Sequence, residues 1–166
     1  MGPTASDIAR LLVREVEGFK RELALFPDDE SVWKTAPGVA NSAGTLALHI
    51  AGNLQHYVGA VLGGTGYVRN RDAEFSRRSV PRSELIAELD RAAAVVRDVV
   101  PGLDDARLGR DFPERMLDGT IRTGLFLHHL AVHAGFHLGQ AGYVRRVVTG
   151  SAQSSQPIPL APLIER

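Results

Sequence analysis

All six histidines of this 166-residue chain lie in two short windows: His49 and His56 in one, His128, His129, His133 and His137 in the other. On a helix at about 100° per residue, His49, Asn53 and His56 share one face. In the second window His129, His133, His137 and Gln140 fall within about 80° of one another. His133 and His137 stand four residues apart, so their Cβ atoms sit about 6 Å apart on consecutive turns. Two imidazoles at that spacing can converge on one divalent ion at metal–nitrogen distances of about 2.0–2.1 Å. His129 is not a third ligand, because three ligands on one helix face would span about 12 Å. The third must come from another helix. His49 is the natural candidate, and His56 takes its place if the helix register differs.

Three neutral imidazoles leave such an ion an open position, where a bound water has its pKa lowered to about 7 and a thiol is held as thiolate. Gln140, one turn after His137, and Asn53, one turn after His49, are the candidates to orient a ligand or bound water there. Their bland alternative is an interhelical hydrogen bond. His56 and His129 read as further bases or as ordinary packed histidines, while His128 falls on the opposite face of its helix. The same metal could instead tie two helices together in a non-catalytic, dimeric scaffold or stress-related binding protein. The chain has no cysteine, which excludes thiolate metal sites, disulfides and a cysteine nucleophile.

Four stretches carry the helical periodicity that must position these groups. The first spans about Ser6 to Phe26, with Thr4 or Ser6 as cap and Pro27 as stop. The second spans about Ala43 to Leu62, capped near Asn41 or Ser42 and ended by Gly63, Gly64 and Gly66. The third spans about Pro81 to Val100, and the fourth about Thr120 to Thr149, closed by Gly150. A short helical turn is expected around Ala106–Leu108. The fourth stretch also carries Gly124, Gly135, Gly139 and Gly142 beside His128, a face suited to close backbone approach or to a dimer seam. Residues 151–166, with three prolines, read as an extended tail.

No useful period-2 alternation appears, so the expected fold class is all-α, a four-helix bundle, with residues 1–166 forming one domain. The 19 basic and 19 acidic residues balance, the basic ones being 17 Arg and 2 Lys. That balance gives no field for nucleic acid. No apolar run approaches the roughly 20 residues of a membrane span, and no signal segment precedes the first helix, so the expected location is cytoplasmic.

Two segments resemble the DinB/YfiT-like superfamily of bacterial metalloenzymes: Leu46-Ala47-Leu48-His49-Ile50-Ala51-Gly52-Asn53, and His133-Ala134-Gly135-Phe136-His137-Leu138-Gly139-Gln140. The helix layout agrees from about Ser6 to Gly150. A further run, Arg69-Asn70-Arg71-Asp72-Ala73-Glu74-Phe75, resembles an uncharacterised branch. The resemblance implies an up-down-down-up bundle, a homodimer, and one divalent metal, zinc or nickel, held by His49, His133 and His137. It also implies a hydrolase or thiol S-transferase acting with a low-molecular-weight thiol or an electrophilic substrate. The Arg69, Arg71, Asp72 and Glu74 cluster is expected to form its own Arg–carboxylate network, because Gly63 lies about 20 Å along the axis from His49. Its rival role is binding a substrate carboxylate.

Overall fold

The computed structural model describes residues 5–164. Among them are six α-helices: α1 (Ala5–Ala24), α2 (Ala43–Leu54), α3 (Arg71–Ser76), α4 (Arg82–Val99), α5 (Asp105–Gly109) and α6 (Thr123–Thr149). The described residues form no strand. Two isolated bridges, Asp111 with Arg122 and Met116 with Gly119, shape the connection into α6.

The apolar spacing that makes α1 a helix also makes it pack. Ile8, Leu12, Val16, Phe19 and Leu23 recur every three or four residues and are buried, and each such side chain contributes about 1.5–3 kcal/mol. The helix lies against α4 and α6, while α2 crosses the same two helices from the other side. α2 is buried all round, every residue from Ala43 to Leu54 being inside. Its first turn is closed by Ser42, whose side chain accepts from the Thr45 N–H, the capping contact expected of this residue type. α6 ends at Gly150, which takes the left-handed conformation (φ 69°).

The second stretch does not stay α-helical to Leu62. After Leu54 the chain widens into π turns over Gln55–Leu62 before Gly63 closes it. Pro27 lies beyond the end of α1 at Ala24, and the expected turn near Ala106 is α5. Thr4, one candidate cap, lies outside the described residues. The short α3 is new: Asn70 caps it by accepting from the Ala73 N–H. Six residues are too few to show a hydrophobic period.

The C-terminal segment is extended and tied down. Arg21 donates to the carbonyls of Ser155, Gln156 and Pro157, and Arg145 donates to that of Gln153. Gly18 makes room, since a Cβ there would lie 2.4 Å from the Pro157 oxygen. Arg145 is itself wholly buried and pairs with the buried Glu22 across 3.3 Å.

The glycines of α6 do not form one seam. A Cβ on Gly142 would meet Glu22 of α1 at 2.6 Å, one on Gly135 would touch Glu15, and one on Gly124 would meet Leu108 of α5. At Gly139 a Cβ would meet nothing within 4 Å. Three of the four glycines therefore face neighbouring helices, and Gly139 faces open space.

Candidate metal centre

α2 and α6 pass antiparallel, so successive turns of one meet successive turns of the other in reverse order. Leu46 shares a cavity wall with Gln140, His49 meets His133, and Tyr57 packs on Phe126. The three histidines converge midway. His49 Nε2 lies 3.3 Å from His133 Nε2, and His137 Nε2 lies 3.0 Å from the same atom. The rings stand nearly perpendicular to one another, with centroids 4.5–5.2 Å apart. His49, His133 and His137 thus form a group that could hold a metal ion.

The outer nitrogens are held as well. His49 Nδ1 lies 3.0 Å from Glu74 Oε2, and a carboxylate oxygen only accepts, so Nδ1 carries the proton. His137 Nδ1 lies 2.7 Å from Gln140 Oε1, which sets the same tautomer. Both rings therefore turn unprotonated Nε2 lone pairs inward. Metal-ligating histidines are commonly oriented in this way by a carboxylate or carbonyl on the far nitrogen. His133 differs, because its Nδ1 is buried without a partner.

Electrostatics favour the neutral form at His133 and His137. Burial pushes His133 down to about 4, and the neighbouring His137, His49, His129 and Arg69 push the same way. His137 is lowered by burial and His49 against the raising effect of Gln140. Burial alone would raise Glu74, but hydrogen bonds from Arg69 and His49 outweigh it and hold its carboxyl below the usual range. Arg69 grips both Glu74 oxygens, at 2.7 and 2.8 Å.

Glu74 forms the expected Arg–carboxylate pair with Arg69, and its contact with His49 is what sequence reasoning missed. The segment after α2 does fold back to His49, so the cluster is not only an Arg–carboxylate network shaping its own loop. Glu74 reaches the site because Gly52 has no side chain: a Cβ there would lie 2.2 Å from Glu74 Oε1. Phe75 follows, its ring 5.0 Å from that of His49, with Arg71 stacked on its outer side. Asp72 is exposed on α3. The only sequence signal for Glu74 was a carboxylate among arginines.

The other candidates divide. Gln140 meets the cluster. Asn53 is buried one turn along α2, but among the described residues no side-chain hydrogen bond joins it to the histidines. His56 bonds Glu114 at 2.9 Å, so His49 and not His56 is the α2 member of the cluster. His129 stacks between Phe126 and His133, and His128 turns back to the Gly124 carbonyl.

Three converging imidazoles, two of them braced from behind so that their Nε2 lone pairs face inward, form a donor set suited to a divalent Lewis acid. Fold and site together define an all-helical protein with a potential three-histidine metal centre. The chain belongs to the DinB superfamily, whose family model matches residues 11–141. No curated protein and no solved structure matches it. Among the described residues no helix is long and apolar enough to cross a membrane.

Proposed function

We propose that this protein is a divalent-metal-dependent enzyme of hydrolase or thiol S-transferase type, with His49, His133 and His137 as metal ligands. The observation that carries the reading is the convergence of three imidazole Nε2 atoms while Glu74 and Gln140 occupy two of the outer nitrogens. Zinc or nickel suits an all-imidazole donor set. Bound there, the ion would supply Lewis acidity to a water or small-molecule thiol at a position the three histidines leave open.

The chain's own residues do the rest. Glu74 keeps the His49 ring in one tautomer and orientation, and Arg69 keeps Glu74 ionised and in place. Gln140 does for His137 what Glu74 does for His49, with a neutral acceptor. Among the described residues the group that meets here has three members and no fourth protein ligand, which favours an open catalytic centre over a closed structural one. Asn53 remains a candidate to contact substrate, being one turn from His49. An up-down-down-up order of the four long helices, as in the resembling family, accords with the antiparallel passage of α2 and α6.

The test is elemental analysis of untagged protein purified without a nickel column. About one metal per chain is expected, lost in His133→Ala and His137→Ala and kept in His128→Ala. Absence of metal, together with no uptake of added Zn²⁺ or Ni²⁺, would overturn the reading and leave a scaffold protein.

A further inference from the structure

One side of α1 borders a cleft that has no part in the histidine cluster. The C-terminal segment runs back along this side, because Arg21 donates to the carbonyls of Ser155, Gln156 and Pro157 and Arg10 donates to that of Pro162. Arg97 at the end of α4 and Pro101 in the turn after it form the opposite wall. The space between is about 410 Å³, within the range of about 300–1,000 Å³ typical of small-molecule sites. No residue of α2 or α6 lines it.

We infer that this cleft binds a free anionic amphiphile, a single apolar chain ending in a carboxylate. Charge complementarity carries the argument. Ala9, Val13, Pro101, Pro159 and Pro162 give the cleft an apolar lining, and its charged groups are four arginines against one carboxylate, Glu17. That carboxylate is already shared, since it meets Arg97 at 3.0 Å and Lys20 at 2.9 Å. Among the described residues Arg21 pairs with no carboxylate. Its Nε and Nη2 end on backbone carbonyls, which leaves its charge uncompensated and Nη1 uncommitted. Arg97 spends only Nη2, on Glu17. A guanidinium carries five donors and takes a carboxylate on two of them at once, more strongly than a neutral acceptor.

Placement along α1 orients the ligand. Glu17, the partner of Arg97, stands one turn before Arg21, so both arginines flank the same end of the cleft and would take the carboxylate between them. From there to Ala9 is about 18 Å along the helix, enough for an extended alkyl chain over Val13 and Ala9. Ala9 is buried and Val13 half-buried, so the apolar atoms lie below the arginines. A single chain can reach that depth, whereas a bilayer surface meets apolar groups that project from a helix face. The site rests on no metal.

Calorimetric titration of the full chain with dodecanoate, kept below micelle-forming concentration, should show one molecule bound per chain. Dodecyltrimethylammonium, with the same chain and the opposite charge, should bind at least about 10-fold more weakly, and acetate should not bind measurably. Arg21→Gln should lose about 10-fold or more in affinity, and Arg21→Lys should retain most of it. Because Arg21 also holds the C-terminal segment, Arg97→Glu and Val13→Asp test the cleft without touching that anchor. Both should lose binding with helicity unchanged on circular dichroism. His133→Ala should bind dodecanoate like the wild type. No uptake of dodecanoate, equal affinity for the cationic amphiphile or for acetate, or full affinity in both Arg97→Glu and Val13→Asp would overturn the inference. So would loss of binding in His133→Ala, or association with phosphatidylglycerol vesicles without uptake of dodecanoate, which would assign the arginines to a membrane surface.

Discussion

Glu74 Oε2 and His49 Nδ1 lie 3.0 Å apart, joining a helix of six residues to the buried centre of α2. This contact fixes the ring of a histidine in an apolar helix so that its Nε2 faces His133. Glu74→Gln keeps the shape but removes the charge and leaves Arg69 without its ionic partner. Zinc affinity should fall about 10–100-fold, as when such supporting groups are lost elsewhere. Competition with a chromogenic chelator measures it, and unchanged affinity would show that His49 needs no support.

Gly52→Ala separates helix stability from the metal centre. In an isolated helix the change gains up to about 1 kcal/mol. Here the new methyl would stand 2.2 Å from Glu74 Oε1, so the carboxylate must leave His49. Metal affinity should drop about as far as in Glu74→Gln, with circular dichroism showing helix retained. Full affinity in Gly52→Ala would mean that Glu74 finds another route to the ring.

Gln140→Leu removes the acceptor on His137 Nδ1 while keeping bulk on an exposed face. A neutral amide braces less strongly than a carboxylate, so the loss of zinc affinity should be smaller than for Glu74→Gln. Asn53→Ala should leave affinity unchanged, since no hydrogen bond joins Asn53 to the cluster. A larger loss for Asn53→Ala than for Gln140→Leu would reverse the two roles.

The metal-free protein should lose stability on mild acidification. His133 has a folded pKa of about 4, below its ordinary 6.5, chiefly through burial. A histidine kept neutral by the fold binds its proton more readily when unfolded. The stability it leaves intact above about pH 6.5 therefore falls progressively as pH drops toward 4. Urea midpoints across that range should fall less steeply in His133→Asn, which has no imidazole to protonate. Equal slopes in the two proteins would remove His133 as the cause.

Arg145 and Glu22 offer a stability prediction far from the histidines. Both are essentially inaccessible to solvent, and Arg145 also holds the Gln153 carbonyl. Arg145→Met leaves the buried Glu22 carboxylate with only Arg146, 3.8 Å away, and should cost up to about 3–5 kcal/mol. The thermal midpoint should fall sharply while zinc binding at low temperature persists. The double variant with Glu22→Leu should recover much of the loss, and failure to recover would assign the cost to the released tail instead.

The sequence by itself determined what repeats along a helix. The apolar period located α1, α4 and α6 to within a few residues, and local backbone chemistry marked the ends of the second stretch at Ser42 and Gly63 and the end of α6 at Gly150. The four-residue step from His133 to His137 fixed a pair of neighbouring imidazoles, because helix geometry alone brings them together. The tertiary structure decided everything that depends on which turns of different helices meet. It chose His49 over His56 by setting His49 level with His133 in the antiparallel passage of α2 and α6. It brought Glu74 back across 25 residues of chain to His49, through a gap that only Gly52 leaves open. It also divided the glycines of α6, three against neighbouring helices and Gly139 toward open space. Periodicity records which residues share a face; it carries no information about what that face will touch.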